Sequence, residues 1–261
     1  MNFEIFGQRR DADPIMVSAG LGGLSHFWQP QIAALAEEFR VVAYDQRGTG
    51  RNQQALPSDY SIRMMADDVI EVLDEAQIER CHFMGHALGG LVGLELALNY
   101  PKRVASLIVV NGWAAPNSHT QRCFAARREL LKKSGIDAYV NAQPIFLYPA
   151  AWLEANAAQV AKEVDAGIRN FQGTGNLLAR MSALLQFEIS ARLSDIELPT
   201  LVAASRDDIL VPWTCSQILA QKIPNAEFWI VPEGGHAFSA VDAAAFNTRV
   251  LAFLRGQPGA N

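Results

Sequence analysis

A histidine behind paired glycines, an aspartate beyond a strand and an alanine where a hydroxyl is expected are the residues that point to chemistry. Glu233-Gly234-Gly235-His236-Ala237 follows the last apolar strand pattern. An imidazole placed there has the reach of a general acid or base. Ser205-Arg206-Asp207-Asp208-Ile209-Leu210-Val211-Pro212 follows another strand pattern, and Asp207 or Asp208 could orient that imidazole and stabilise its cation. Gly85-His86-Ala87-Leu88-Gly89 has the form of the Gly-x-Ser-x-Gly turn that lifts a nucleophile between a strand and a helix, with Ala87 in place of the serine. Gly20-Leu21-Gly22-Gly23 is a glycine-rich loop after a strand, so the N–H groups of Leu21 and Leu88 form a candidate oxyanion hole. His26, just beyond that loop, is a candidate pocket residue. A methyl group at position 87 excludes an acyl-serine there. It equally excludes haloalkane dehalogenation, which needs a carboxylate at that place.

Short apolar runs position these residues. Pro14–Ala19, Arg40–Asp45, Glu79–Met84 and Val104–Val110 read as strands, the apolar ones buried on both faces. Helical spacing lies between them over Trp28–Phe39, Ser61–Ala76 and Leu91–Tyr100. Ser61 is placed to cap its helix, with Ile62, Met65, Val69, Val72 and Leu73 on one face. Such alternation predicts a mostly parallel sheet with helices on both faces. It stops at Asn111-Gly112, and the chain is helical in character until about Glu197, with breaks at Gly135, Pro144, Pro149 and Gly173-Thr174-Gly175. Strand and helix patterns resume at Pro199–Ala204, Cys215–Lys222, Glu227–Val231 and Ala243–Leu254. The expected organisation is therefore an α/β core over 1–112 and 198–261, split by a helical cap over 113–197 that roofs the carboxyl ends of the strands.

Composition narrows the function classes. With 261 residues, half of them hydrophobic, one large core can form, and the net charge of −5 disfavours a nucleic-acid partner. No apolar run approaches a membrane span and no signal-peptide pattern opens the chain. Cys81, Cys123 and Cys215 lack disulfide or metal-ligand spacing, so the reduced cytoplasm is the expected compartment and neither metal nor cofactor is expected. A small-molecule substrate is the expected partner, and a homodimer is compatible with the sequence. Asp45-Gln46-Arg47-Gly48-Thr49-Gly50 reads as a structural loop in which Asp45 and Arg47 pair with each other. His86 is expected to pack beneath the turn. Arg122, Arg127, Arg128, Lys132 and Lys133 read as the solvated face of a cap helix, with attraction of anionic substrates as the minority reading. Phe146, Leu147, Tyr148 and Trp152 read as cap core.

Taken together, these motifs resemble the α/β-hydrolase superfamily along essentially the whole chain. The order Ala87, Asp208, His236 reproduces that superfamily's order of nucleophile, acid and base. In its pattern the acid lies four residues before the proline, here Pro212, which selects Asp208. Tyr44–Gly50, Gly85–Gly89, Val110–Trp113 and Ala142–Pro149 are similar to the RutD family of the Rut pyrimidine-utilisation pathway, whose members carry alanine in the turn. That resemblance implies uracil catabolism and hydrolysis of a small C–N substrate, carbamate or aminoacrylate, with His236 and Asp208 transferring protons without a serine nucleophile. The alternatives are a non-catalytic binding or accessory protein, a serine esterase or lactonase inactivated by Ser→Ala at position 87, and a lyase or cofactor-free oxygenase using the same His–Asp pair.

Overall fold

The computed structural model describes residues 1–9 and 11–260. Seven strands form one sheet: β1 (Phe3–Phe6), β2 (Pro14–Ser18), β3 (Arg40–Tyr44), β4 (Cys81–His86), β5 (Val104–Val110), β6 (Thr200–Ser205) and β7 (Ala226–Val231). Their spatial order is β1-β3-β2-β4-β5-β6-β7, with β1 antiparallel to β3 and every other pairing parallel. The apolar runs of β2, β4 and β5 are buried at every residue, as strands covered on both faces must be. Only β1 escapes the sequence pattern, because four residues at a half-exposed edge carry too short an alternation to read.

Helices α1 (Gln29–Ala36) and α10 (Ala243–Arg255) cover one face, where Trp28, Leu35, Phe246 and Phe253 meet Ile15, Val17 and Ile108. The other face packs under α2 (Ile62–Glu75), α3 (Leu88–Asn99) and α8 (Trp213–Lys222). Ser61 caps α2 as expected, its Oγ accepting from Met64 N–H at 3.3 Å. Between β5 and β6 lie α4 (Ser118–Leu147), α5 (Ala150–Ala155), α6 (Ala157–Arg169) and α7 (Thr174–Gln186). Three of the expected breaks appear there, as a non-helical bend at Gly135, φ 87°, and as Pro149 and Gly173 at the starts of α5 and α7, but Pro144 makes none: α4 runs through it to Leu147, giving up only the hydrogen bond its missing N–H would have made. A short α9 (Phe238–Val241) separates the histidine loop from α10. No helix among the described residues is long and apolar enough to cross a membrane.

The loop after β3 departs from its expected pairing. Asp45 Oδ1 accepts from Ser25 N–H and Oγ at 2.9 Å, and Oδ2 accepts from Arg51 Nε at 2.9 Å and Arg51 N–H at 3.1 Å. Arg47 instead turns to α2, where its guanidinium meets Asp68 at 2.6 Å and Glu71 at 2.7 Å. The loop folds back over Asp45 so tightly that a Cβ on Gly50 would stand 2.6 Å from its Oδ2. Asp45 is thus committed to the loop itself, which leaves Arg47 free to bind α2.

Candidate active site

The turn between β4 and α3 is a sharp elbow. Ala87 sits at φ 46°, ψ −110°, a conformation that costs a residue with a Cβ on the order of 1–3 kcal/mol. Two glycines make the elbow possible by close approach. A Cβ on Gly85 would lie 2.1 Å from Gly89 O, and one on Gly89 would lie 2.2 Å from Ser18 O. Backbone therefore packs directly on backbone, and α3 starts at Leu88 with no intervening loop. That start is three residues earlier than the apolar pattern alone suggests.

His236 and Asp208 come together from the loops after β7 and β6. His236 Nδ1 lies 2.7 Å from Asp208 Oδ2, with both side chains almost fully buried. Asp208 Oδ1 accepts from the Leu210 and Val211 N–H groups at 2.8 and 2.9 Å, so the carboxylate is held before it meets the imidazole. The backbone of His236 is held too. Its carbonyl oxygen lies 2.8 Å from His86 Nε2 and accepts from Asn111 Nδ2 at 2.7 Å, and the next N–H, of Ala237, donates to Leu147 O at 2.9 Å. Asp207 serves the same turn from outside, accepting from Gly235 N–H at 2.8 Å and Gly234 N–H at 3.2 Å. Burial raises the Asp207 carboxyl, but the Ser205 hydroxyl and those two amides outweigh it and hold it below the usual carboxylate range. The two adjacent aspartates thus divide the work: Asp208 orients the imidazole, and Asp207 shapes the turn that carries it.

His86 behaves as a packing residue. Its ring stacks on Phe27 at 4.6 Å between centroids, and burial, followed by the neighbouring His236, pushes it down to about 3, so it stays neutral.

A cavity of about 600 Å³ opens over the elbow. Ala87, Leu21, Leu88 and His236 all line it, and the exposed His26 lines it too. Neither the Leu21 nor the Leu88 N–H has an acceptor among the described residues. The Leu21 loop is held from outside by Arg180 of α7, which is fully buried and donates to Leu21 O at 3.2 Å, to Gly20 O at 3.4 Å and to Gln46 Oε1. Gln172 Nε2 adds a second bond to Leu21 O at 3.2 Å. With its carbonyl committed on that side, the Leu21 peptide is anchored at the wall of the cavity. No cluster of metal-ligating side chains occurs among the described residues.

The wall that α4–α7 give the cavity differs from the sequence expectation in two ways. Leu147, Tyr148 and Trp152 line the cavity rather than a cap core, with the Tyr148 and Trp152 rings stacked at 4.3 Å. Arg122, Arg128, Lys132 and Lys133 do face solvent, but Arg127 is only 5% exposed and also lines the cavity. The signal was available in the spacing. Arg127 lies three residues after Phe124 and four before Leu131, both buried, so it falls on the apolar stripe of its helix. Arg180 carries the same signature: on α7 it shares a face with buried Leu177, Met181 and Leu184.

Comparison with known proteins agrees with this architecture. Residues 13–133 match the family described as alpha/beta hydrolase fold. Among solved structures, the enol-lactonase from Burkholderia xenovorans superposes with a TM-score of 0.89 at 27% identity, covering 97% of this chain and 96% of that one. The protein named "Putative carbamate hydrolase RutD" of Variovorax paradoxus is 54% identical over 97% of this chain and 96% of its own length. Its namesake from Pantoea ananatis is 47% identical over 98% of this chain and 94% of its own. With identity of this order sustained from end to end, and with the elbow, the His–Asp pair and the sheet order in place, the chain belongs to the RutD family of α/β-hydrolase-fold proteins.

Proposed function

We propose that this protein is a hydrolase of a small C–N substrate in pyrimidine catabolism, carbamate first and aminoacrylate second, working by proton transfer without a covalent intermediate. The observation that carries the reading is a buried, oriented His236–Asp208 pair facing the same cavity as Ala87. The relatives' printed name supplies the substrate class. Asp208 holds Nδ1, so Nε2 of His236 is the nitrogen left to exchange a proton with a ligand. For carbamate, the imidazolium donates that proton to the carbamate nitrogen, and the C–N bond breaks with its electron pair leaving on nitrogen. Ammonia and carbon dioxide result, and His236 recovers its proton from water. The Leu21 and Leu88 N–H groups are the candidates to hold the carboxylate oxygens as charge shifts. For aminoacrylate, the same imidazolium protonates the enamine carbon, water adds to the resulting imine carbon, and the C–N bond breaks as the carbonyl forms, releasing ammonia. Both substrates decompose unaided, so the barrier left for the protein to lower is modest, and a missing nucleophile costs little.

The test is the rate of carbamate breakdown in buffer, with the wild type and with His236→Ala at equal protein concentration. General acid–base catalysis is worth about 10²–10⁴-fold. The wild type should exceed buffer, His236→Ala should fall to the buffer rate, and Asp208→Asn should lie near it because the imidazole loses its tautomer. Equal rates for wild type and His236→Ala on both substrates would replace this reading with a binding role.

A further inference from the structure

We infer that Arg127 is the anion anchor of this cavity, and that the site admits organic monocarboxylates larger than the C–N substrate proposed above. The inference rests on that reading only in taking this cavity as the place of reaction. Arg127 is buried in the cap, yet no Asp or Glu among the described residues stands within ion-pair distance of it. Its Nη2 donates to Tyr139 Oη at 3.1 Å and to Gln143 Oε1. Nε is buried without an acceptor, and Nη1 has none among the described residues. A guanidinium carries five donors, so most of its fork is unspent.

Burying a cation unpaired is costly. The cap offsets part of that cost with aromatic faces, since the guanidinium carbon lies 4.9 Å from the Phe124 ring centre, 5.5 Å from Phe146 and 5.7 Å from Tyr139. Such an arrangement keeps the charge in place without cancelling it. Its missing partner is a planar, two-oxygen anion entering from the cavity, the shape a guanidinium fork matches best. Glu163 also lines the cavity, but it is exposed and accepts from Tyr148 Oη at 3.0 Å and Gln159 Nε2 at 2.9 Å, so it does not supply that partner.

Size and lining extend the inference. A carbamate ion is about as large as acetate and would fill a small corner of about 600 Å³. Cavities of roughly 300–1,000 Å³ ordinarily take ligands many times larger. Much of the remaining wall is apolar, with Trp113, Phe124, Leu147, Trp152, Phe171 and Leu184 in it. An amphipathic carboxylate, its head on Arg127 and its chain against those walls, satisfies charge and volume together.

Calorimetric titration of acetate, propanoate, butanoate and hexanoate tests the inference, with hexanol as the neutral probe. Wild-type affinity should rise about fourfold for each methylene buried. Arg127→Met should weaken hexanoate by about tenfold or more while leaving hexanol unchanged, and Arg127→Lys should recover part of the loss. Lys132→Met, which removes an exposed cation of the same helix outside the cavity, should bind hexanoate as the wild type does. Equal hexanoate binding by wild type and a folded Arg127→Met, no dependence on chain length, or no binding of any carboxylate would overturn the inference. Should Arg127→Met not fold, the wild type decides alone: hexanol binding as tightly as hexanoate would overturn it. Because binding is read without turnover, loss of the carbamate reaction with retained Arg127-dependent binding would sink the proposed function and leave the anchor standing. The reverse result would do the opposite.

Discussion

At the scale of single residues, the most consequential atom is the Cβ of Ala87. It occupies the place of a nucleophile and holds a left-handed backbone, so the elbow carries strain without a hydroxyl to show for it. Replacing it by glycine removes that strain and gives up only a methyl contact and some chain entropy. Ala87→Gly should therefore raise stability by about 1 kcal/mol, or about 3 °C in Tm. Thermal unfolding checks this, and a lower Tm would mean that the methyl's packing outweighs the strain. The neighbouring geometry was largely legible in the sequence. His236, Ala87 and the strand-end glycines are marked by their local patterns, because a turn needs glycine wherever backbone approaches backbone. Choosing Asp208 over Asp207 needed the family's spacing, since two adjacent carboxylates look alike until the chain folds. Arg127 was misread because charge usually means solvent, and only its helical phase with Phe124 and Leu131 betrays burial.

At the scale of elements, α7 fixes the Gly20–Gly23 loop through Arg180. That side chain reaches the Leu21 and Gly20 carbonyls, Gln46 Oε1 and, at 3.4 Å, Arg47 O, so one guanidinium ties two strand-end loops to a helix from the insert. Burial lowers it to about 10, still charged at neutral pH. Arg180→Met would leave several buried acceptors unpaired and should cost about 2 kcal/mol in urea unfolding. Unchanged stability in that variant would show that the loops stand without the clamp. The elements themselves were readable because apolar runs and helical stripes are strong, repeated signals. Which helix would reach back to which loop was not, because such a contact joins residues more than a hundred positions apart and leaves no local pattern.

For the molecule as a whole, two buried histidines predict an acid limit to stability. Burial pushes His82 down to about 4 and His86 down to about 3, against an ordinary value of 6.5. Each is neutral in the fold and takes up a proton on unfolding once the pH drops below about 6.5. Their contribution is complete above that pH and is lost as the pH falls toward 4 and then 3. The slope is at most about 1.4 kcal/mol per pH unit for each histidine. Denaturation midpoints measured from pH 7 to pH 4 should fall steeply, and His82→Gln should flatten the fall; equal slopes in the two proteins would exclude His82 as a source. Fold class follows from patterns spread along the chain, whereas this limit depends on where imidazoles end up in the core. The alanine elbow has one more consequence. Fluorophosphonates and sulfonyl fluorides label proteins of this fold through a serine oxygen, and position 87 offers them none. Such reagents would find no oxygen to label at the elbow, and no acyl group could rest at position 87 for added alcohols or hydroxylamine to intercept.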